Sequence, residues 1–346
     1  MSSTSVPKTT KSWTVQGSDG FESLKFSKDT PIPEISDYEV LASTSNFQTA
    51  ENTRMYPFAQ KDGVVPCSDG AGEVVAVGSK VSRFEKGAKV LTLFNQGHLG
   101  GSLDPLTVTS GVGGVVDGTL RQYGAFNENG LVHMPPSLNW LEASTLSCAA
   151  LTAWNSLYGL KPLQPGQVVL TQGTGGVSIF ALQFAKAAGA VVISTTSSAK
   201  KAETLKKLGA DHVLNYKDDP EWGAKAKDLT PGKEGVDHIL EVGGPTTMKQ
   251  SLDAIKIDGV ISIIGFLGGV KSEKQPSFLD ALNHICTIRG VLVGNRVQFE
   301  DMNRAIEGNK IKPVVDEKVF TLEEAKEAYQ YMWDQKHFGK LTIKIE

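Results

Sequence analysis

Cysteine is scarce. Only 3 occur in 346 residues, Cys67, Cys148 and Cys286, and no two form a CxxC pair. An odd, scattered set excludes a disulfide framework. It fits three half-buried free thiols in a reducing compartment, so a cytoplasmic protein is expected. Long apolar runs are missing as well. None approaches the ~20 residues that span a bilayer, so no membrane is expected among the partners. The formal net charge is −3, with Lys and Arg spread along the chain. There is no basic stripe of the kind nucleic acid requires. The first eleven residues are rich in Ser, Thr and Lys and have no apolar core, which excludes a secretory signal and reads as a frayed polar terminus. No internal repeat is visible. What remains is 40% hydrophobic and 21% charged, an ordinary globular balance on a chain long enough for one or two domains.

The chain changes character twice. Up to about residue 136 it shows short strand-like runs, at 38–42, 72–77 and 89–94, broken by Gly, Pro and Asp. Residues 95–118 are Gly-rich with little periodicity, the pattern of a lid, a binding loop or a mobile segment. From about residue 141 to 296, strands and helices alternate. Strand-like runs at 167–171, 191–195, 212–215, 236–241, 259–264 and 287–292 are interleaved with helical spacing at 177–188 and 199–208. Such alternation implies a parallel sheet covered by helices on both faces. The last fifty residues return to the first style. They hold a strand at 315–320, an amphipathic helix at 322–333 with Thr321 and Glu324 as a capping box, and a closing strand at 341–345. A nucleotide domain, residues 141–296, is therefore expected between two parts of a β domain, residues 1–140 and 297–346.

The most informative segment runs from Val168 to Ser178. An apolar strand enters the turn Gly173-Thr174-Gly175-Gly176 and passes through Val177 straight into a helix. Gly173 permits a tight turn. Gly175 lets the backbone approach a pyrophosphate. Gly176 and the small Ser178 allow close packing of the helix, whose free N–H groups then face the anion. The strand–turn–helix context raises this above a bare glycine pattern.

The next strand end selects the nucleotide. An NAD site places Asp or Glu there, ~20 residues past the first glycine, to hold the ribose diol. Here the chain reads Ser194-Thr195-Thr196-Ser197-Ser198-Ala199-Lys200-Lys201, and no acid appears before Glu203. Hydroxyls and lysines suit a 2′-phosphate. Lysines in the first turn of a helix oppose the macrodipole, which also points to an anion. NADP(H) is the expected cofactor.

With these residues in hand the chain resembles the medium-chain dehydrogenase/reductase superfamily, in its quinone oxidoreductase-like, zinc-free alcohol dehydrogenase-like branch. The resemblance rests on Ser68-Asp69-Gly70-Ala71-Gly72-Glu73-Val74, Ala149-Ala150-Leu151-Thr152-Ala153-Trp154, the glycine turn, Glu241-Val242-Gly243-Gly244, Ile264-Gly265-Phe266 and Phe338-Gly339-Lys340-Leu341. It implies an α/β fold: a GroES-like β domain plus a Rossmann domain with a doubly wound parallel sheet, and an active site in the cleft between them. It also implies that Asn46, Thr152, Gly173, Thr174, Gly175, Gly176 and Val177 lie along the cofactor. Ser197, Lys201 and Tyr216 would surround the adenosine phosphate. Val242, Phe266, Leu267, Val293 and Asn295 would line the nicotinamide side, and Phe338 and Lys340 would close over it.

Departures from the family matter equally. Zinc-dependent members carry a Cys where this chain reads Ser45-Asn46-Phe47-Gln48-Thr49, and a Gly-His-Glu where it reads Cys67-Ser68-Asp69. Ser68 stands at the histidine position. Cys148 alone survives of a ligand set that needs three protein groups. His284 with Cys286 is too small a pair to replace it. No metal is therefore expected. Without a Lewis acid, already activated substrates are favoured: enones, enals and quinones. The expected function is NADPH-dependent hydride transfer to such bonds, and Tyr56-Pro57 resembles the Tyr-Pro segment that lines the pocket of quinone reductase-like members, which implies Tyr56 as the substrate-facing donor. Arg54, His98 and Tyr123 are weaker candidates, His98 being expected as an exposed loop residue. A zinc-free alcohol dehydrogenase or carbonyl reductase is the alternative within enzymes. A non-catalytic NADPH sensor is the alternative outside them. The strands at 259–264 and 287–292 are expected at one sheet edge, where a second copy could pair to give a homodimer.

Overall fold

The computed structural model describes residues 6–48, 61–271 and 275–346, the side chains of residues 44–48 excepted. The chain divides into two compact units, Met1–Cys148 with Asn295–Glu346, and Ala149–Gly294. No helix among the described residues is long and apolar enough to cross a membrane.

The unit Ala149–Gly294 is built on six parallel strands. Their order is His212–Asn215, Val191–Thr196, Val168–Gln172, Val236–Glu241, Ile255–Ile263, Thr287–Gly290. Counted along the chain this is 3-2-1-4-5-6, the doubly wound dinucleotide-binding order. Strands covered on both faces are largely apolar, and Val168–Gln172 is buried at every position, with Thr171 and Gln172 as its polar members. One face packs Leu170, Ile193, Ile239 and Ile261 against Trp222, Met248 and Leu252. Helix Gly176–Ala187 buries Ile179, Phe180, Leu182, Phe184 and Ala185. Gly189, at φ +77°, follows its C-cap. The fifth strand starts at Ile255, earlier than its apolar run suggests. The register shifts between Val236 and His238, and Asp258, at φ +63°, lies in the resulting irregularity.

The other unit holds a sheet in the order Val315–Thr321, Lys340–Lys344, Glu39–Gln48, Asp69–Val77, Lys89–Thr92, Leu131–His133, with Tyr123–Asn127 also pairing Glu39–Gln48. A separate ribbon pairs Thr9–Val15 with Leu24–Pro31. The expectation of a frayed terminus through residue 11 thus fails from Thr9 onward. Trp13 explains why: its ring is buried and its Nε1 donates to Leu322 O at 2.7 Å, anchoring the strand. Trp13 shares its core with Val64, Leu120, Phe320, Tyr329 and Ile343.

Two further expectations are corrected. Residues 95–118 are not a loose lid. Val112 N donates to Phe94 O at 2.9 Å, Gly118 N to Val65 O at 2.6 Å, and Thr119 N to Cys67 O at 2.9 Å. Gly113 sits at φ +80°, and a Cβ there would lie 2.4 Å from Cys67 N. Gly113 and Gly118 thus serve close packing against residues 66–67. The C-terminal helix begins at Ala325, later than expected; the Thr321 N–H and hydroxyl both donate to the Glu324 carboxylate, half of the expected capping box, and no side-chain bond caps the helix N-terminus.

Candidate nucleotide-binding and catalytic sites

In a doubly wound sheet, ligands bind beyond the carboxyl ends of the strands, where the order reverses. Here that point lies between Val168–Gln172 and Val236–Glu241. The glycine turn leaves the first of these strands. Gly173 has φ +76°, and a Cβ at Gly173 or Gly175 would meet no atom within 4 Å. The space over the turn is open, although nothing in the fold requires it to be. Gly175 is the N-cap of helix Gly176–Ala187 and supplies no side-chain capping bond. The first N–H groups of a twelve-residue helix are thus left to an incoming acceptor, and the dipole favours an anion. Ser178 Oγ donates to Gln172 O at 2.6 Å, closing the turn from below. Thr174 is buried, while Val177 is half-buried.

The neighbouring strand Val191–Thr196 ends beside this turn, with Gly173 N donating to Thr195 O at 2.9 Å. Ser198 caps helix Ala199–Lys207 by accepting from Lys201 N at 3.3 Å. The first turn of that helix contains no acid. Tyr216 N donates to Thr196 O at 3.2 Å. Ser197, Lys201 and Tyr216 are therefore carried by backbone that converges on one strand end. Glu203 faces away to Lys206 at 3.0 Å on the surface.

At the other end, three consecutive strand exits lie side by side. Ile264 N donates to Glu241 O and Leu267 N to Val242 O, both at 2.9 Å, and Val291 N donates to Ile263 O at 3.0 Å. This brings Val242, Phe266, Leu267 and Val293 to one edge of the unit. Thr152 and Asn155 lie on the nearby helix Leu151–Tyr158, from which Asn155 Nδ2 reaches Val293 O at 2.7 Å.

Sequence reasoning missed the group that organises these turns. Glu241 is fully buried. Its Oε1 accepts from Gly243 N at 2.9 Å, Gly244 N at 3.0 Å and Thr247 Oγ1 at 2.5 Å. Its Oε2 accepts from Gln172 Nε2 at 2.8 Å and from Ser251 Oγ. Gln172 Oε1 in turn accepts from Val242 N at 3.1 Å. In the sequence Glu241 showed only as the first residue of the Glu241–Gly244 motif, and Gln172 as the residue before the glycine turn.

The β unit holds the remaining candidates. Asn46 lies in strand Glu39–Gln48, in register with Ala71 on one side and Lys344 on the other. Tyr56 and Arg54 lie outside the described residues. Lys340 is buried, and its Nζ pairs with Asp69 Oδ2 at 3.1 Å, with both side chains at most 4% exposed. Ser68 Oγ donates to Asp69 Oδ1 at 2.9 Å. Phe338 N donates to Asp316 Oδ2 at 2.8 Å. Asn295 caps helix Arg296–Asn309, its Oδ1 accepting from Gln298 N at 2.9 Å and its Nδ2 donating to Gly101 O at 3.2 Å. His98 is buried and not exposed: one ring nitrogen lies 3.1 Å from Gly101 O. Tyr123 opens strand Tyr123–Asn127, in register with Ser43.

The residues at the expected metal position do not fit zinc. Cys67 points into the core, its Sγ 3.1 Å from Tyr329 Oη, and burial pushes its thiol well above the ordinary value. Ser68 and Asp69 satisfy each other, and the Lys340 ammonium beside Asp69 opposes a second cation. Among the described residues no group of three or more His, Cys, Asp or Glu could hold a metal ion. His284 Nδ1 is engaged with Asp280 O at 2.9 Å.

Residues 36–136 match the alcohol dehydrogenase GroES-like domain, and residues 176–308 match the family described as zinc-binding dehydrogenase. A zinc-type alcohol dehydrogenase-like protein of Schizosaccharomyces pombe is 43% identical over 336 residues, covering 94% of this chain and 96% of that one. An NADPH-dependent alkenal/one oxidoreductase of Arabidopsis thaliana is 27% identical, covering 98% of this chain and 80% of that one. A crystal structure assigned to the alcohol dehydrogenases, from Sinorhizobium meliloti 1021, superposes with a TM-score of 0.89 at 36% identity, covering 98% of this chain and 100% of that one. The chain belongs to the medium-chain dehydrogenase/reductase superfamily. It is an oxidoreductase of the kind that works with a nicotinamide cofactor.

Proposed function

We propose that this protein reduces activated C=C bonds, in enones and enals, or quinones, by hydride transfer from NADPH and without zinc. The observation that carries the reading is Ser68, which stands where the family resemblance expects a histidine ligand and donates instead to Asp69, itself paired with Lys340. A plain alcohol or ketone gains most from a Lewis acid. An enone or quinone is polarised already, and backbone or hydroxyl donors suffice for its developing enolate. The name of the Arabidopsis relative supports both the cofactor and the substrate class.

NADPH, when bound, supplies the hydride. The chain's own residues bind and orient it. The N–H groups at the start of helix Gly176–Ala187 would hold the pyrophosphate. Ser197, Lys201 and Tyr216 would hold the 2′-phosphate, with no acid in that first turn to repel it. Val242, Phe266, Leu267 and Val293 would form the wall for the nicotinamide, and Tyr56 would donate to the substrate oxygen. We also propose a homodimer, formed along the edge strand Thr287–Gly290.

The experiment is a panel assay with elemental analysis. Protein purified without chelator should consume NADPH with an enone or quinone and contain well under one zinc per chain. Near-stoichiometric zinc, with oxidation of simple alcohols and no enone or quinone turnover, would sink the reading.

A further inference from the structure

We infer that Asn155 is a positioning residue for the nicotinamide end of the cofactor, acting through Val293. The inference rests on the cofactor reading above and deepens it.

Val293 has φ +51° and is only 4% exposed. A β-branched residue enters the left-handed region only when its surroundings impose it. Among the described residues Ile285 is the other β-branched one there, and it is 57% exposed. The strain at Val293 is therefore interior and local. It falls three residues past strand Thr287–Gly290, the last of the three strand exits that lie side by side.

The Val293 carbonyl is held by an amide. Asn155 Nδ2 donates to Val293 O at 2.7 Å, and Asn155 Oδ1 accepts from Arg289 Nη2 at 2.9 Å. Arg289 has donors only, so it fixes which end of the amide faces which partner. The oxygen must face the guanidinium, and the nitrogen must then face the strained carbonyl. Arg289 lies in the edge strand itself, while Asn155 lies on helix Leu151–Tyr158, within a turn of Thr152. Helix, strand and turn are thus locked by one side chain. A left-handed residue redirects the chain, so the path of residues 291–294 beside Val242 and Leu267 depends on this lock. Without it Val293 relaxes to negative φ, and the wall for the nicotinamide moves.

The test is a double-mutant cycle. Asn155→Ala is made in the wild-type chain and again in a chain carrying Val293→Gly, since glycine holds φ +51° without help. Turnover at saturating NADPH and the NADPH dissociation constant, from nucleotide fluorescence, are both read. In the wild-type background we expect turnover to fall about ten- to a hundredfold, the scale of a small misplacement of a reactant. The dissociation constant should rise more modestly. In the Val293→Gly background the same substitution should change either quantity less than about twofold, a non-additivity that coupled neighbours show. Equal losses in both backgrounds, or no loss in the first, overturn the inference. If Asn155→Ala does not fold, Arg289→Met serves in its place. It frees the amide to turn, should act in the same direction, and should likewise be silenced by Val293→Gly. If the wild type turns over no substrate, the functional reading has failed. The fluorescence arm still decides the role of Asn155.

Discussion

Gln172 and Glu241 close adjacent parallel strands and meet there, Gln172 Nε2 donating to Glu241 Oε2 at 2.8 Å with both side chains buried. The contact fastens the glycine turn that follows one to the Val242–Gly244 turn that follows the other. Glu241→Ala would remove the one acceptor that Gly244 N and Ser251 Oγ have among the described residues, and leave Gln172 Nε2, Gly243 N and Thr247 Oγ1 only their second partners. Unsatisfied buried donors cost about 1–3 kcal/mol each. We expect a loss of at least ~3 kcal/mol in urea denaturation, together with weaker NADPH binding. Unchanged stability would mean that water replaces the carboxylate.

The buried Asp69–Lys340 pair makes a second prediction. Lys340→Met leaves the Asp69 carboxylate uncompensated and should cost about 3–5 kcal/mol. Adding Asp69→Leu should restore most of it, because a buried pair replaced by apolar groups of similar volume is often near neutral. Denaturation midpoints of the two single variants and the double variant decide this. A double variant as unstable as Lys340→Met would refute it.

Acid sensitivity should trace to His238. The residue is 2% exposed in a central strand, and among the described residues neither ring nitrogen has a partner. Burial lowers its pKa from 6.5 to about 4, with Asp237 nearby working against that shift and Lys161 adding to it. The sign follows directly. The unfolded chain binds a proton at this site below about pH 6.5, and the folded chain does so only near pH 4, so stability falls as pH drops between them. From pH 7 to 5 the loss is about 2 kcal/mol for this one group. His238→Leu should flatten that part of the pH–stability curve in urea titrations. An unchanged slope would place the sensitivity elsewhere.

Cofactor choice should respond to Lys201. A charge-assisted contact to phosphate contributes roughly 1.5–3 kcal/mol, one to two decades of affinity. Lys201→Ala should weaken NADPH by that factor and leave NADH nearly unchanged in parallel titrations. Equal affinities for both nucleotides in the wild type would defeat the assignment.

The proposed dimer predicts its own failure mode. In the segment that leads into edge strand Thr287–Gly290, Phe278 is 89% exposed and Leu282 is 71% exposed. Large apolar side chains so placed invite a second copy. Sedimentation should show a species of twice 37.1 kDa, and Phe278→Glu with Leu282→Glu should return it to 37.1 kDa. A wild type found only at 37.1 kDa would rule the dimer out.

What the sequence disclosed was local. Strands His212–Asn215 and Val236–Glu241 are legible to the residue, because apolar runs stop abruptly at polar or glycine neighbours. The turn at Gly173 is legible because strand, glycines and helix are contiguous. What stayed hidden depends on partners far along the chain. Gln172 and Glu241 are 69 residues apart, and Asn155 and Val293 are 138 apart. Thr9–Val15 looked like a polar tail because its anchor, Trp13 to Leu322, spans 309 residues. The packing of residues 95–118 was concealed by glycines, whose composition is the same whether they serve motion or close approach.

The proposed reduction of enones would make the state of the Cys67 thiol matter. Such compounds are Michael acceptors, and they alkylate thiolates. Cys67 is 4% exposed, and burial holds its pKa well above the ordinary value, so it stays protonated at neutral pH. Burial raises Cys286 in the same direction. A chain with 3 cysteines, of which these two are kept as thiols, offers little nucleophile to its own substrates. Under the proposed function, the interior that stabilises the β unit would also guard the protein against covalent self-inactivation.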